Sequence, residues 1–361
     1  MLLLFSALLL AGPPQQLRDG LKWLQVDLYE QSPEDQAEWE ANRYAANAVR
    51  LDLASVTLQE LYSVQEAQAN LHALPWLTFH LDARDDNTRE ARVTRFDADL
   101  FFRVAPFLWL AASGSPDILK DRGALGVGAL LLSSDARRYL ALRAVDDRPF
   151  YNGKNGIGAH RDDLVFRGLA EGRWEQGRAS VWVRADLGTP SVIHLPAAQL
   201  EADERNDLDA HLRFAGPAAL DLRVTARALQ SADAVSSLRQ GFVFARAAAL
   251  VPLHPRWKLR LTALGVRELS RGVADSGPFS LSRSDAGVRG AALFSFTDEV
   301  RAEGGYAVVN TWLPGDVSWT DKLFISARYA PSARAYLRFL ISKELHGGNF
   351  GGMNGELGVR F

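Results

Sequence analysis

The chain contains no cysteine, which excludes disulfides, thiolate nucleophiles and zinc–thiolate centres together. Its net charge is only −2, so composition offers no basic field for nucleic acid and no acidic one for cationic surfaces. Beyond its first dozen residues it has no apolar run near the roughly 20 residues that a membrane helix needs. If the protein enters a membrane, it does so without helices. Lysine is scarce beside arginine, a bias of composition rather than a functional sign. None of the histidines stands beside a serine in the way a lipase-type barrel motif requires.

What is present begins with MLLLFSALLLAG. This apolar run, 1–12, has the length of a signal-peptide core and reads as a secretion signal, although no Lys or Arg precedes it and Pro13 and Pro14 follow it closely. Residues 13–70 have a texture of their own. Leu17, Leu21, Leu24 and Leu28 recur at helical spacing. Ser32-Pro33-Glu34-Asp35 reads as an N-cap followed by proline at the first helical position, and EDQAEWEANRYAANAV is rich in helix formers. VTLQELYSVQEAQAN (56–70) reads as a third helix. Val49, Leu51 and Leu53 alternate with Arg50 and Asp52, so 47–55 also reads as a short strand. The whole segment is expected to be partly helical and periplasmic.

From 71 to 361 the period changes to two. Leu220, Leu222, Val224 and Ala226 alternate with Asp221, Arg223, Thr225 and Arg227. Trp257, Leu259, Leu261 and Ala263 oppose Lys258, Arg260 and Thr262, and Ala335, Leu337, Phe339 and Ile341 oppose Arg334 and Arg338. Such segments run about 9–13 residues, longer than the usual 5–6 of soluble strands. Short turns at Ala105-Pro106, Ser134-Asp135, Gln176-Gly177, Gly216-Pro217, His254-Pro255, Asp298-Glu299 and Pro331-Ser332 alternate with longer polar stretches, among them 271–284 and 313–321. That is the outline of an up-and-down antiparallel meander. Closing it into a barrel removes the two open edges and turns the apolar face outward to lipid.

The last residues, GGMNGELGVRF, put Met353, Gly355, Leu357, Val359 and Phe361 on one face. This stretch resembles the terminal strand of bacterial outer-membrane β-barrel proteins, which ends in Phe after alternating apolar residues. The resemblance implies an all-β fold: a transmembrane antiparallel up-and-down barrel in the outer membrane of a Gram-negative cell. In that class the terminal strand pairs with the first strand and is read by the barrel-assembly machinery. Leu357, Val359 and Phe361 are the residues that would carry that signal. About sixteen strands are expected from 71 onward, with fourteen and eighteen as the neighbouring even counts.

The inner face of such a barrel would carry Arg184, Arg213, Arg223, Arg227, Lys258, Arg260, Arg334 and Arg338, with Asp99, Asp209, Asp221, Glu303 and Glu356 among the acids. A ring of fixed charge of this kind selects solutes by sign, and the slight basic excess favours anions. Trp76, Trp109, Trp174, Trp257, Trp312 and Tyr329 suit interfacial girdles. His160 with Asp162 and Asp163 reads as a solvated loop rather than a metal site, and no catalytic residue, metal or cofactor is expected. The functional expectation is a pore for small solutes. The alternatives are a component of a polysaccharide-export or secretion assembly, with residues 15–70 meeting a periplasmic partner, and a structural barrel with a closed lumen.

Overall fold

The computed structural model describes residues 33–44, 47–57, 61–87, 91–115, 124–146, 150–153, 158–161, 166–188, 192–195, 198–232, 237–274, 277–332, 334–346 and 350–360. The signal sequence expected at 1–12 and the leucine spacing at 17–28 lie outside the described residues.

Among the described residues one helix, α1 (Pro33–Asn42), precedes a ring of strands. The first seven are β1 (Ala48–Thr57), β2 (Leu61–Leu74), β3 (Leu77–Asn87), β4 (Ala91–Ala105), β5 (Leu108–Ser115), β6 (Ala124–Leu132) and β7 (Tyr139–Asp146). Two short strands follow, β8 (Phe150–Gly153) and β9 (Gly158–Arg161). Next come β10 (Phe166–Gln176), β11 (Ala179–Gly188), the short β12 (Val192–Leu195), β13 (Ala198–Phe214), β14 (Ala219–Ala232) and β15 (Ser237–His254). The ring is completed by β16 (Trp257–Ala274), β17 (Gly277–Ser295), β18 (Val300–Leu313), β19 (Asp316–Ser332), β20 (Ala335–Glu344) and β21 (Phe350–Arg360).

Each strand pairs antiparallel with the next, except that β7 pairs with β10 and β11 with β13. The short β8, β9 and β12 stand outside the ring and link the upper end of β4 to that of β13. β21 then pairs with β1, Val359 opposite Val49 and Leu357 opposite Leu51, so the sheet closes. Eighteen strands form the ring, two more than the sixteen expected from 71.

The two additional strands, β1 and β2, come from the stretch read as part of a helical N-terminal segment. VTLQELYSVQEAQAN is mostly β2 rather than a third helix. Its Gln, Glu and Ala residues favour helices by propensity, but propensity yields to context. Here Gln68 and Asn70 point into a polar lumen, where such side chains belong. The barrel therefore starts at Ala48 and not at 71.

The wall has an inverted distribution of polarity. Outward positions carry Leu261, Val288, Ile325, Leu337 and Phe339, all substantially exposed, while Arg260, Thr262, Glu303, Ser326 and Arg338 face inward and are buried. In water this arrangement would be expensive; in a bilayer it is the stable one. The outward band has a sharp upper limit. On β16 it runs through Trp257, Leu259, Leu261, Ala263 and Gly265 and stops at Arg267. On β17 it stops at Ser284, on β18 at Asn310, on β19 at Asp321 and on β20 at Lys343. These positions follow one line across five paired strands. A band of about 9–11 residues per tilted strand matches a hydrocarbon core.

Above that line the strands continue. Residues 271–274, 277–284 and 316–321, read from sequence as long loops, extend β16, β17 and β19, and β18 meets β19 through a tight turn with Gly315 at φ 80°. The outward positions of β17 there carry Ser280, Ser282 and Ser284 rather than apolar residues, so the lipid-facing stripe no longer marks a strand. The opposite end carries the short turns. Gly177 (φ 60°) closes the β10–β11 hairpin, and at the β6–β7 turn Asp135 accepts from the Ser133 hydroxyl (2.5 Å) and the Arg137 amide (3.1 Å), bonds that hold its carboxyl below the usual range. By its short turns this is the periplasmic end.

Two inward glycines make room for rings. A Cβ on Gly305 would collide with Phe324, whose ring carries the Arg289 guanidinium at 4.0 Å; a Cβ on Gly358 would collide with Tyr336. The closing seam is also clamped by charge. Glu356 on β21 lies 3.6 Å from Arg50 on β1 and 3.7 Å from Arg338 on β20, and accepts from Tyr336.

The depth of the band is directly testable. Leu261→Arg, at its middle, is expected to cost about 2–4 kcal/mol, and Asn310→Arg, at its upper limit, about 0–1 kcal/mol. Denaturant titration of the barrel folded into lipid vesicles measures both; equal costs would show that the band has been misplaced.

Candidate functional site: a helix lodged in the lumen

An eighteen-stranded barrel encloses enough space for an aqueous channel unless something fills it. Here α1 does so. Its sequence, PEDQAEWEAN, starts with proline at the first turn and is otherwise made of helix formers. Ten residues, about 15 Å of helix, are too few to hold together alone in water. Contacts with the barrel wall supply the rest.

Those contacts span the ring. At the start of α1, Glu34 Oε2 accepts from Arg260 Nη2 on β16 (2.9 Å). Near its end, Glu40 Oε1 lies 2.6 Å from His211 Nδ1 on β13. Just past the helix, Arg43 Nε lies 3.0 Å from Glu171 Oε1 on β10, and the backbone carbonyl of Arg43 accepts from the Asn70 side chain on β2. Asn47 Oδ1 accepts from the His72 amide (2.6 Å), which fixes the entry to β1. All these wall residues lie within a few positions of the short-turn end, except Glu171, which stands five from it. The helix and its exit thus cross the periplasmic mouth from β16 to β2.

The wall is prepared for this segment. Glu171 accepts from the Tyr139 hydroxyl (2.9 Å) and the Trp182 indole N–H (3.0 Å) as well as meeting Arg43. Tyr44 enters an apolar cluster unusual for a lumen: Phe101, Trp109, Ala111, Leu130, Tyr139, Ala141 and Trp182. Its ring stands edge-on to Tyr139 at 4.8 Å and to Phe101 at 5.6 Å, and it is 3 % exposed. One side of the lumen therefore offers a greasy socket, the other a set of ion pairs, and α1 with Arg43 and Tyr44 answers both. Trp109 belongs to that socket; it does not serve as an outward girdle residue, because its position on β5 faces inward. Trp76, Trp174, Trp257, Trp312 and Tyr329 are outward and exposed.

Arg184, Arg213, Arg223, Arg260 and Arg338 all lie on the inner face. Several are engaged with acids. Arg223 makes a two-point contact with Asp209 (2.8 and 3.1 Å), Arg260 reaches Glu303 at 3.4 Å in addition to Glu34, and Arg338 meets Glu356. Lys258 shares this face at the periplasmic mouth and is half-buried. Arg227 is on β14, with its side chain outside the described residues. Arg334 is corrected: it sits exposed in the β19–β20 turn, not in the lumen, because β20 begins only at Ala335. Leu357 and Val359 face outward on β21, and Phe361 lies outside the described residues. Sequence reasoning missed Glu34, Glu40, Arg43 and Tyr44. The available signal was an aromatic pair, Trp39 in an otherwise polar helix and Tyr44 just past its end.

Among the described residues no group of three or more His, Asp or Glu side chains is arranged to hold a metal ion. His160 is on β9, paired through the backbone with His194 on β12; Asp162 and Asp163 lie outside the described residues.

A closed antiparallel ring, lipophilic outside and charged inside, with long walls at one end and short turns at the other, defines a β-barrel of the bacterial outer-membrane type. Neither a protein-family model nor a curated relative matches the sequence. Solved structures do share the architecture. CdiB from Acinetobacter baumannii has a TM-score of 0.46 at 10 % identity over 87 % of this chain, which spans 60 % of that protein's length. OccK2 (OpdF) of Pseudomonas aeruginosa, in complex with glucuronate, has 0.45 at 13 % identity, covering 88 % of this chain and 97 % of that one. The outer-membrane channel DcaP of Acinetobacter baumannii has 0.39 at 11 % identity, covering 88 % and 96 %. Likeness at this level concerns the fold alone.

The anchoring of the exit segment is open to measurement in a chain free of cysteine. With a single reporter, Tyr44→Cys, maleimide labelling in the folded barrel is expected to be slow. Adding Glu171→Ala, which removes a buried charge-assisted contact to Arg43, is expected to speed it about tenfold or more. An unchanged rate would show that Arg43 does not anchor the segment.

Proposed function

We propose that the protein is a gated outer-membrane channel whose lumen is shut from the periplasmic side by its own segment 33–47, and that solutes pass only when that segment moves. The observation that carries this reading is the set of contacts from Glu34, Glu40, Arg43, Tyr44 and Asn47 to the inner wall. An unobstructed barrel of this circumference is wide enough for small hydrophilic solutes. The plug is held by many small contacts rather than woven into the sheet, so it can leave without breaking the ring.

Solute charge enters as the finer part of the reading. Arg184, Arg213, Arg223, Arg260 and Arg338 lie on the inner face, and withdrawal of α1 removes Glu34 and Glu40 from Arg260 and His211. The opened lumen thereby becomes more positive, which supports passage of small anions. A permanently closed, structural barrel is the second reading, and the filled periplasmic mouth speaks for it equally in the resting state.

Planar-bilayer recording separates the two. The full chain is expected to be mostly silent. Glu40→Cys with His211→Cys, oxidised, should lock it silent, and reduction should restore rare openings. Deletion of 33–44 should give steady open steps with a reversal potential of anion preference. A deletion variant that folds but stays silent would overturn the channel reading.

A further inference from the structure

Tyr44 fills the apolar part of its socket and leaves the polar part unmatched. Its ring packs among Phe101, Trp109, Leu130, Tyr139 and Trp182, yet its buried hydroxyl has no hydrogen-bond partner among the described residues. Two wall atoms beside it share that condition. His80 Nε2 and the Trp109 indole Nε1 are buried and lack partners among the described residues. The His80 and Tyr44 rings are 6.3 Å apart, centroid to centroid. Three unmatched polar atoms around one ring are costly, because a buried donor or acceptor without a partner keeps its full desolvation penalty.

The chemistry of His80 is set by its neighbours. Asn70 Nδ2 donates to the Arg43 carbonyl, so Asn70 Oδ1 is the amide atom that faces His80. A carbonyl oxygen only accepts, so His80 Nδ1 carries the proton and donates to it. In the neutral ring Nε2 then holds a lone pair, turned away from Asn70 by the shape of the imidazole. Asp99, opposite His80 on β4, is engaged elsewhere: it accepts from Ser113 Oγ (2.5 Å) and from Arg143. The socket is thus an aromatic-lined space with one strong acceptor at its edge. Tyr44, held by its own backbone, does not bring its hydroxyl to that acceptor.

We propose that this socket is the recognition site for a small neutral phenol, whose ring takes the place of the Tyr44 ring and whose hydroxyl donates to His80 Nε2, and that the solute thereby frees segment 33–47. The inference rests on the plug reading above and names the class of ligand that moves the plug. An untethered phenol is free to shift and rotate within the socket, so it gains the ring contacts and the missing hydrogen bond together. An aromatic hydrocarbon has no donor for the lone pair, and an aromatic carboxylate presents an anionic oxygen to it. The Trp109 N–H remains for an oxygen substituent elsewhere on the ring.

The test uses the full chain in nanodiscs with a single cysteine, Ala41→Cys, half-buried on α1 and outside the socket. Its maleimide labelling rate reads release of the plug. At saturation para-cresol, the tyrosine side chain as a free molecule, is expected to raise that rate about tenfold or more, by shifting the population toward the released state. Toluene and benzoate at the same concentration should leave it unchanged. Toluene enters the bilayer more readily than para-cresol, so it controls for an effect on the membrane. Equilibrium dialysis, corrected against empty nanodiscs, should show para-cresol bound about tenfold more tightly than toluene, and His80→Phe should abolish that preference. Tyr44→Ala should bind para-cresol about tenfold more tightly than the wild type, because the competing ring is gone. Heat-dependent gel mobility confirms that each variant is folded. Labelling that ignores para-cresol, or that answers equally to toluene, would overturn the site. Labelling driven by para-cresol without conductance steps would overturn the channel reading and leave the site standing.

Discussion

A backbone amide at lipid depth has no water to turn to. Each must pair within the protein, and for strands the only arrangement with no unpaired edge is a closed ring. Much of this structure follows from that requirement. β1 must meet β21, so residues 48–57 are committed to the wall whatever their neighbours' propensities. The face toward lipid must be apolar, which leaves the charged side chains of the band to the lumen. An eighteen-stranded lumen would then be an open hole unless filled. The charges of the inner wall and the helix across it are two answers to the same geometry. Arginine–carboxylate pairs line the wall, and one segment of the chain crosses the mouth.

The seam shows how local chemistry serves closure. Glu356 is set between Arg50 and Arg338, the strands on either side of its own. Gly358, next along the inner face, leaves room for the Tyr336 ring, whose hydroxyl reaches the same carboxylate. The alternation that makes GELGVR a strand also places glycine and glutamate inward, where a bulky residue would push β20 and β21 apart.

The barrel was legible in the sequence wherever one face of a strand met lipid and the other met water. Residues 256–264 and 334–344 show this, and their assigned faces hold except at Arg334, one residue too early. Legibility failed where that contrast vanished. Above the apolar band the outward positions carry Ser280, Ser282 and Ser284, so 277–284 reads as loop although it belongs to β17. In β2 the inner face carries Gln68 and Asn70 and the outer face small residues, so the segment reads as helix. The lumenal helix was visible as a helix, from Pro33 and the run of Glu, Gln and Ala. Its location was not visible, because Glu40 and Arg43 look the same whether they face water or a partner such as His211 or Glu171, each more than a hundred residues away in sequence. Tyr44 and its socket share no sequence neighbourhood either; the socket is a concave arc of neighbouring strands from β4 to β11, and Tyr44 reaches it from outside the sheet.

The plug precedes β1 in the chain at that strand's periplasmic end, and β1 is the strand that completes the circle. A pull toward the periplasm therefore acts along the axis of that strand. Its ladders to β2 and β21 lie across the direction of pull and resist together, in shear. The contacts of α1, Arg43 and Tyr44 lie at different points along 33–44 and yield one after another, as in peeling. The same mechanical load that is enough to strip the helix from its socket leaves the circumference intact. A fold with its plug attached to the middle of a loop would have no such division between what gives way and what holds.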